Sequence, residues 1–179
     1  MLQVTIPEAE YFDSEKNIFI YIKQQILTLE HSLVSISKWE QKWNKPFMET
    51  DIKTHEESKD YIKCMTLTQN VDPIIYDYIP ESIYREIDAY ISAPMTATKF
   101  REDNNSKNKE IITSELIYYW MITLGIPFEC RKWHLNTLIA LIKVCEIKNT
   151  PPKKMSKNEI MSRNAELNAK RRAAMHSKG

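Results

Sequence analysis

Apolar and polar residues alternate at the start of the chain, over residues 2–6. A period of two residues is typical of a half-buried strand, so the pattern predicts a strand there. Residues 18–30 are rich in Ile, Phe and Tyr, which favour strands. They predict two further short strands, at about 18–23 and 26–30. The same apolar positions also fit a helical spacing, so a helix is the competing interpretation of that stretch.

From Ser32 onward, apolar residues recur every three or four positions, a spacing that places them on one face of a helix. Prolines and capping residues divide this region into four predicted helices, because proline ends a helix and a polar N-cap satisfies its first backbone donors. The helices lie between Ser32 and Pro46, from Thr54 onward (with Glu57 completing a capping box), from Asp72-Pro73 to Pro80, and from Pro80 to Pro94. Their apolar stripes are Leu33, Ile36, Trp39 and Trp43; Tyr61, Ile62 and Met65; Ile74, Ile75 and Tyr78; and Ile83, Ile87 and Ile91.

Two more helices are predicted after a wholly polar loop at residues 101–110. Residues 111–124 are apolar nearly all round, which predicts a helix at the centre of the core. Gly125 and Pro127 end it. A last core helix is predicted over residues 131–147, and the short turn between the two favours an antiparallel helical hairpin. The buried face of the last helix is predicted to contain Leu135, Leu138, Ile142 and Cys145.

A stiff Thr150-Pro151-Pro152 segment separates two regions of opposite charge. Residues 151–179 carry eight Lys or Arg and two Glu, a net charge of +6, whereas residues 1–150 carry a net charge of −5. The sequence therefore predicts a mainly α protein. A compact helical core domain with a small N-terminal β element occupies residues 1–150, and a basic C-terminal helical tail is appended at 151–179.

The tail encodes a helix, because Ser156 and Glu159 form a capping box and Met155 fits a hydrophobic staple with Ile160. Its apolar residues are sparse, so the helix is marginal alone and needs a surface to pack on. Three interpretations stay open: an arm that binds nucleic acid, a helix that docks on an acidic protein surface, and a solvated tail. The tail has no Phe, Trp or Tyr for base stacking, and the opposite charge of the two regions favours docking. The residues concerned are the basic Lys153, Lys154, Lys157, Arg163, Lys170, Arg171 and Arg172 and the apolar Ile160, Met161, Leu167 and Met175.

Cys130 and His134 are the best metal candidates, because they lie four residues apart on one predicted helix. A structural zinc site needs four ligands, and no further Cys or His has ligand-like spacing. The pair is therefore interpreted as a core Cys and a partly buried His, and no metal or cofactor is predicted. The sequence contains no GxSxG motif and no Gly-rich phosphate loop, so no catalytic residue is predicted and an enzyme is not expected. Three cysteines without a CxxC pair predict free thiols in a reducing compartment.

Trp39 and Trp43 alternate with lysines along the first predicted helix. Trp and basic residues are enriched in binding hot spots, so the helix could present a patch to a partner. The favoured interpretation is a helix whose Trp side packs inward while the lysines lie in water. Trp120 is predicted to lie in the core. The candidate partner-binding residues are Trp39, Trp43, Ile160, Arg163, Leu167 and Arg171.

Five segments, in order along the chain, resemble phage proteins that act as tail assembly chaperones. They cover most of the chain, and the resemblance lies in sequence texture and length rather than in a catalytic motif. The segments are LEHSLVSISKWEQKW (29–43), YIKCMTLTQNVDP (61–73), SAPMTATKF (92–100), EIITSELIYYWMITLGIPFECRKWHLNTLIALIKVC (110–145) and PPKKMSKNEIMSRNAELNAKRRA (151–173).

The resemblance implies a protein that binds the long, helical, aggregation-prone tape measure protein of a long-tailed phage. Such a chaperone keeps that protein soluble while tail tube subunits assemble around it, works in the host cell cytoplasm and is absent from the mature virion. The tail tube protein and a second copy of the chain are further candidate partners, whereas a membrane is not. Two alternatives from other classes stay open: a nucleic-acid-associated protein that uses the basic tail, and a structural component of the tail or the head-to-tail junction.

Overall fold

The chain is mainly α, with a small β element at its N-terminus, as the sequence predicts. In the computed structural model the chain divides into two compact units, Met1–Glu146 and Ile147–Gly179. The buried apolar side chains of the first unit form one continuous core, to which the strands and the helices both contribute. The residues that the structure describes are 1–13, 17–49, 53–100, 111–150 and 157–175.

Four strands, β1 to β4, fold the start of the chain into antiparallel pairs, β1 with β4 and β2 with β3. Their bounds are Leu2–Ile6, Ala9–Asp13, Ile18–Ile22 and Gln25–Leu29. The register is the same in both pairs: Leu2 lies opposite Leu29, Ile6 opposite Gln25, Ala9 opposite Ile22 and Asp13 opposite Ile18. Pro7 lies between the two pairs and carries no backbone N–H for the ladder. The pairs are therefore an inner half (β1 and β4) and an outer half (β2 and β3) of one long hairpin.

The inner half of the hairpin belongs to the core, where Val4 and Leu27 are both buried. The outer edge of β4 is covered, because the N–H of Leu67 donates to the carbonyl of Thr28 at 2.8 Å. The predicted strands at residues 2–6, 18–23 and 26–30 are confirmed, and the competing helix is wrong. β2 was not predicted, since its acidic residues are more typical of a loop than of a strand.

The helices α1 (Leu33–Trp43) and α2 (His55–Met65) both begin at capped N-termini. Thr54 and Glu57 form the predicted capping box of α2. α1 ends earlier than predicted, because Asn44 adopts a left-handed backbone with a φ of 53° two residues before Pro46. Asn tolerates that conformation better than most residues, so the cap itself, rather than the proline, ends the helix.

A 3-10 helix at Pro73–Asp77 and the helix α3 (Glu81–Ser92) follow where the sequence predicts them. Asp72 caps the 3-10 helix, since its carboxylate accepts the N–H of Ile74 at 3.0 Å. On α3, Ile83 and Ile87 are buried. The predicted third member of that stripe, Ile91, is only partly buried.

The helix α4 (Ser114–Thr123) corrects a prediction, because it lies at the surface of the core and not at its centre. Ile117 and Met121 are buried on its inner side, whereas its outer side is exposed and Trp120 is only partly buried. α4 packs against α1 while Tyr119 and Ile122 stay exposed, so a helix that is apolar nearly all round is not buried all round. Its end is as predicted: Gly125 has a φ of 66°, and the N–H of Ile126 returns to the carbonyl of Met121 at 2.8 Å.

The last core helix begins later than predicted. Residues 128–132 form a 3-10 helix, and α5 runs over Leu135–Asn149. Trp133 is extended, and the N–H of Leu135 donates to the carbonyl of His31 at 2.8 Å, so the helical ladder cannot start before residue 135. The connection between α4 and α5 is longer than the short turn predicted for the helical hairpin, because it contains the 3-10 helix. Leu135, Leu138 and Ile142 are buried as predicted, but Cys145 is only partly buried.

The second unit contains the predicted tail helix, α6 (Lys157–Met175). Its described side chains are exposed, and Lys170 pairs with Glu166 one turn earlier at 2.7 Å. The predicted capping box and staple of this helix, the Pro151-Pro152 break, Lys153, Lys154 and the loop at 101–110 lie outside the described residues.

Candidate interaction surfaces

Trp39 is a core residue and not part of an exposed patch. Only 2% of its surface is accessible, and its indole Nε1 donates to the carbonyl of Glu57 at 2.9 Å. Its ring meets Phe47 edge to face with 5.2 Å between centroids. The interpretation of Trp39 as a partner-facing residue is therefore wrong, and the favoured inward packing is confirmed.

Trp43 lies at the edge of the core, half-buried, and stacks on Trp39 with 6.2 Å between ring centroids. The lysines beside it are held in ion pairs with α2. Lys42 pairs with Asp60, and Lys45 reaches the Glu57 carboxylate at 2.7 Å. These pairs tie Lys42 of α1 and the nearby Lys45 to α2, so these two lysines have a structural role without a partner.

Cys130 and His134 do not lie on one helix, because Cys130 belongs to the 3-10 helix and His134 precedes α5. The imidazole Nε2 of His134 hydrogen-bonds the carbonyl of Tyr90 at 3.1 Å, and its Nδ1 accepts the N–H of Asn136 at 3.3 Å. Both ring nitrogens are therefore engaged with protein groups. Among the described residues, no three His, Cys, Asp or Glu side chains come together in a way that could hold a metal ion.

A cluster of hydrogen-bonded titratable side chains is buried between the hairpin, α2, α3 and the start of α5. The hydroxyl of Tyr90 donates to the Glu30 carboxylate at 2.7 Å, and the Tyr61 hydroxyl hydrogen-bonds Nδ1 of His31. Burial raises the pKa of Tyr61 and Tyr90 and lowers the pKa of His31 to about 3. The grooves of about 450 and 460 Å³ in this unit are lined by other residues. The hydrogen bonds of the cluster therefore join the end of the hairpin to α2 and α3.

An exposed apolar surface, which we name the α4 face, runs along the outer side of α4. Its central side chains are Tyr119 and Ile122, which are 61% and 68% exposed and lie one turn apart. At its border, Tyr118 stacks on Phe128 with 5.5 Å between centroids, and the guanidinium of Arg131 lies 5.2 Å from the Phe128 ring. The sequence did not reveal this face, because a helix that is apolar on every side gives no indication of which side is uncovered.

A second exposed apolar surface, the hairpin face, lies on the outer half of the hairpin. Phe12, Phe19 and Tyr21 point to the same side of the sheet, and they are 53%, 70% and 54% exposed. Residues 18–22 are apolar or aromatic at every position, which is typical of a strand covered on both faces. In this unit one face is exposed and the other is covered only toward Ile22, so the pattern was the available signal for this surface.

The tail residues among the predicted partner-binding set all lie on α6. Ile160 and Leu167 are seven residues apart and share one side of the helix, with 44% and 42% of their surfaces exposed. Arg163 and Arg171 are exposed as well. These four residues stay predictions, and their exposure makes them accessible to a partner.

No protein-family model, curated protein or solved structure matches this chain. None of its described helices is long and apolar enough to cross a membrane.

Proposed function

We propose that the protein is a phage tail assembly chaperone that binds the tape measure protein and keeps it soluble while the tail tube assembles. The resemblance of the five sequence segments supplies the class. The observation that carries the proposal is the α4 face, because Tyr119 and Ile122 are exposed to solvent on a helix that is apolar nearly all round. A helix of that composition is usually covered on all sides.

The size of the α4 face fits a reversible partner. Its two central side chains expose roughly 250 Å² in total, on the scale of 150–250 Å² for a large side chain. Stable interfaces bury about 800 Å² on each partner, so this face alone supports a transient complex. A chaperone must release its client, and a long helical client can present its own apolar stripe to α4 by helix packing.

The test is co-expression with the tape measure protein of the same phage, with the soluble fraction of that protein as the readout. We expect the native chain to raise the soluble yield several-fold and the double variant Tyr119→Asp/Ile122→Asp to lose that effect. Leu67→Asp is the matched control, because Leu67 is a similarly exposed apolar residue outside α4. The proposal is wrong if the native chain leaves the soluble yield unchanged.

A chaperone is expected in the host cell cytoplasm and not in the finished particle. Mass spectrometry of purified virions tests this expectation directly. Detection of this chain at a fixed ratio to the tail tube protein would instead support the structural alternative, a component of the tail or of the head-to-tail junction.

A second candidate function rests on α6, where Arg163, Arg171 and Arg172 are exposed. Such a helix could neutralise phosphates, and binding of that kind weakens steeply as salt is raised. Titration of a DNA duplex and of an RNA at two salt concentrations tests this function. We expect that neither nucleic acid binds through this helix. Salt-dependent binding by the native chain that is lost in the double variant Arg171→Gln/Arg172→Gln would favour the nucleic-acid role.

A further inference from the structure

The hairpin face is a preformed platform. Its Phe12 and Phe19 rings lie opposite each other on the two strands, with 5.0 Å between centroids. The opposite side of the same strands is anchored, because Tyr11 packs on Tyr78 at 4.4 Å and Ile22 is buried. Strand geometry then fixes alternate side chains on the outer side. Phe12, Phe19 and Tyr21 therefore keep their exposed arrangement without a partner.

The border of this face is acidic. Glu10 lies opposite Tyr21 in the strand pairing, and both Glu8 and Glu10 are exposed. A hydrogen bond from the Tyr21 hydroxyl to the Glu8 carboxylate raises the pKa of Tyr21. In the sequence, residues 8–22 contain four acidic residues and one lysine. The ring faces carry partial negative charge as well, so the side of the face that contains Glu8 and Glu10 favours a cationic partner, while Lys23 lines the groove next to it.

The exposed aromatic area of the face is small for a stable dimer. Three aromatic side chains with these exposures offer roughly 350 Å², on the scale of 150–250 Å² for a fully buried aromatic residue. A stable dimer interface needs about 800 Å² from each copy. The available surface matches one face of a single helix instead. An open groove of about 460 Å³ extends it beyond Tyr21, between the hairpin and the segment that contains Asn70 and Asp72.

We propose that the hairpin face docks a basic amphipathic helical segment of a partner protein, with apolar side chains on Phe12, Phe19 and Tyr21 and Lys or Arg side chains toward Glu8 and Glu10. This surface is separate from the α4 face, so the inference does not depend on the chaperone function. Together, the two surfaces give the first unit one apolar site and one acidic, aromatic site.

The test uses the full chain and two synthetic peptides with the same leucine face, one with lysines and one with glutamates on the other face. Fluorescence anisotropy at low and moderate salt gives their affinities. We expect the Leu/Lys peptide to bind and the Leu/Glu peptide to bind at least tenfold more weakly. Phe19→Ser should weaken the Leu/Lys peptide about tenfold or more, because a central aromatic anchor is lost. Glu10→Lys should weaken binding of the Leu/Lys peptide too, because it places a positive charge next to the lysines of the peptide.

Trp133→Ser is the matched control, since it removes an exposed aromatic residue that belongs to neither the hairpin face nor the α4 face. We expect it to leave the affinity within about twofold, as is typical of residues outside a hot spot. Equal effects of Phe19→Ser and Trp133→Ser, or equal binding of both peptides, would overturn the proposal. A fall in the mass of the full chain in solution caused by Phe19→Ser alone would also overturn it, because a second copy would then be the occupant.

Discussion

The imidazole rings of His31 and His134 meet edge to face in the buried cluster, with 5.0 Å between their centroids. His31 precedes α1 and His134 precedes α5, so their contact joins two helix starts that are far apart in the chain. Burial, and then the charge on His134, lower the pKa of His31 to about 3. Burial lowers the pKa of His134 as well. Both rings are therefore neutral in the folded protein at neutral pH.

This pairing makes the folded state sensitive to acid. An unfolded His binds a proton near pH 6.5, whereas the folded His31 does not until about pH 3. Between these two pH values the unfolded state binds more protons than the folded state. The free energy of unfolding is therefore highest above pH 6.5 and falls as the pH is lowered from 6.5 toward 3. From His31 alone we expect the free energy of unfolding to fall by about 2 kcal/mol between pH 7 and pH 5. Urea titrations at the two pH values measure it.

The control for this prediction is His31→Gln, which removes the titrating group and keeps a polar side chain. Its stability at pH 7 is expected to be lower, but the loss between pH 7 and pH 5 should be smaller than in the native chain. Parallel losses in both proteins would show that other groups cause the acid sensitivity.

Glu40 is a buried carboxylate that connects α1 to two other segments. One of its oxygens accepts the N–H of Phe47 at 2.8 Å, and the other accepts the N–H of Ser114 at 2.8 Å. Glu40→Ala leaves both buried donors without a partner, so we expect a loss of about 3 kcal/mol in the free energy of unfolding. Glu40→Gln should lose less, since its amide oxygen can still accept one of them. Chemical denaturation measures both, with the exposed neighbour Gln41→Ala as a control that should change little.

The stability cost of a substitution at Gly125 should depend on the backbone conformation there and not on the space available for a side chain. Its φ is 66°, and a Cβ added there would meet no atom within 4 Å. We expect Gly125→Ala to cost about 1 kcal/mol, because the left-handed conformation is strained for most residues. Gly125→Asn should cost clearly less, since Asn adopts that conformation readily. Thermal unfolding measures the stability of the two variants. Equal losses in both would contradict the backbone conformation as the cause.

The placement of α4 can be tested apart from any partner. Met121 is fully buried on its inner side and Ile122 is 68% exposed on its outer side. We expect Met121→Ala to lower the free energy of unfolding by about 2–5 kcal/mol, as buried truncations do. Ile122→Ala should change it by less than about 0.5 kcal/mol, as at most surface positions. A large loss from Ile122→Ala would mean that this side of α4 is covered.

Much of the fold was predictable, because short sequence patterns determine the local backbone conformation at many helix and strand ends. The alternation at residues 2–6, the Thr54 capping box, the Asp72-Pro73 helix start and Gly125 all describe backbone conformations that neighbouring residues determine. What the sequence did not predict depends on tertiary contacts. The hydrogen bond from Leu135 to His31 delays the start of α5, and no local pattern records a donor 104 positions away from its acceptor.

The candidate surfaces were less predictable than the elements. Trp39 is a large aromatic residue beside lysines, and whether it faces a partner or the core depends on Phe47 and Glu57, which other segments bring to it. The α4 face and the hairpin face are apolar segments that predict burial on every side. Their exposure follows from how many neighbours the first unit supplies, which periodicity alone does not contain.

The unchanged register across Pro7 has a consequence for how the length of this region can vary. Residues 2–13 pair with 18–29 in one register, so one residue inserted or deleted beside Pro7 would reverse the two sides of β2 relative to β3. Tyr11 would then turn to solvent and Phe12 to Tyr78. Variants of this protein that keep both the core and the hairpin face should therefore keep the two arms at constant length and change length elsewhere.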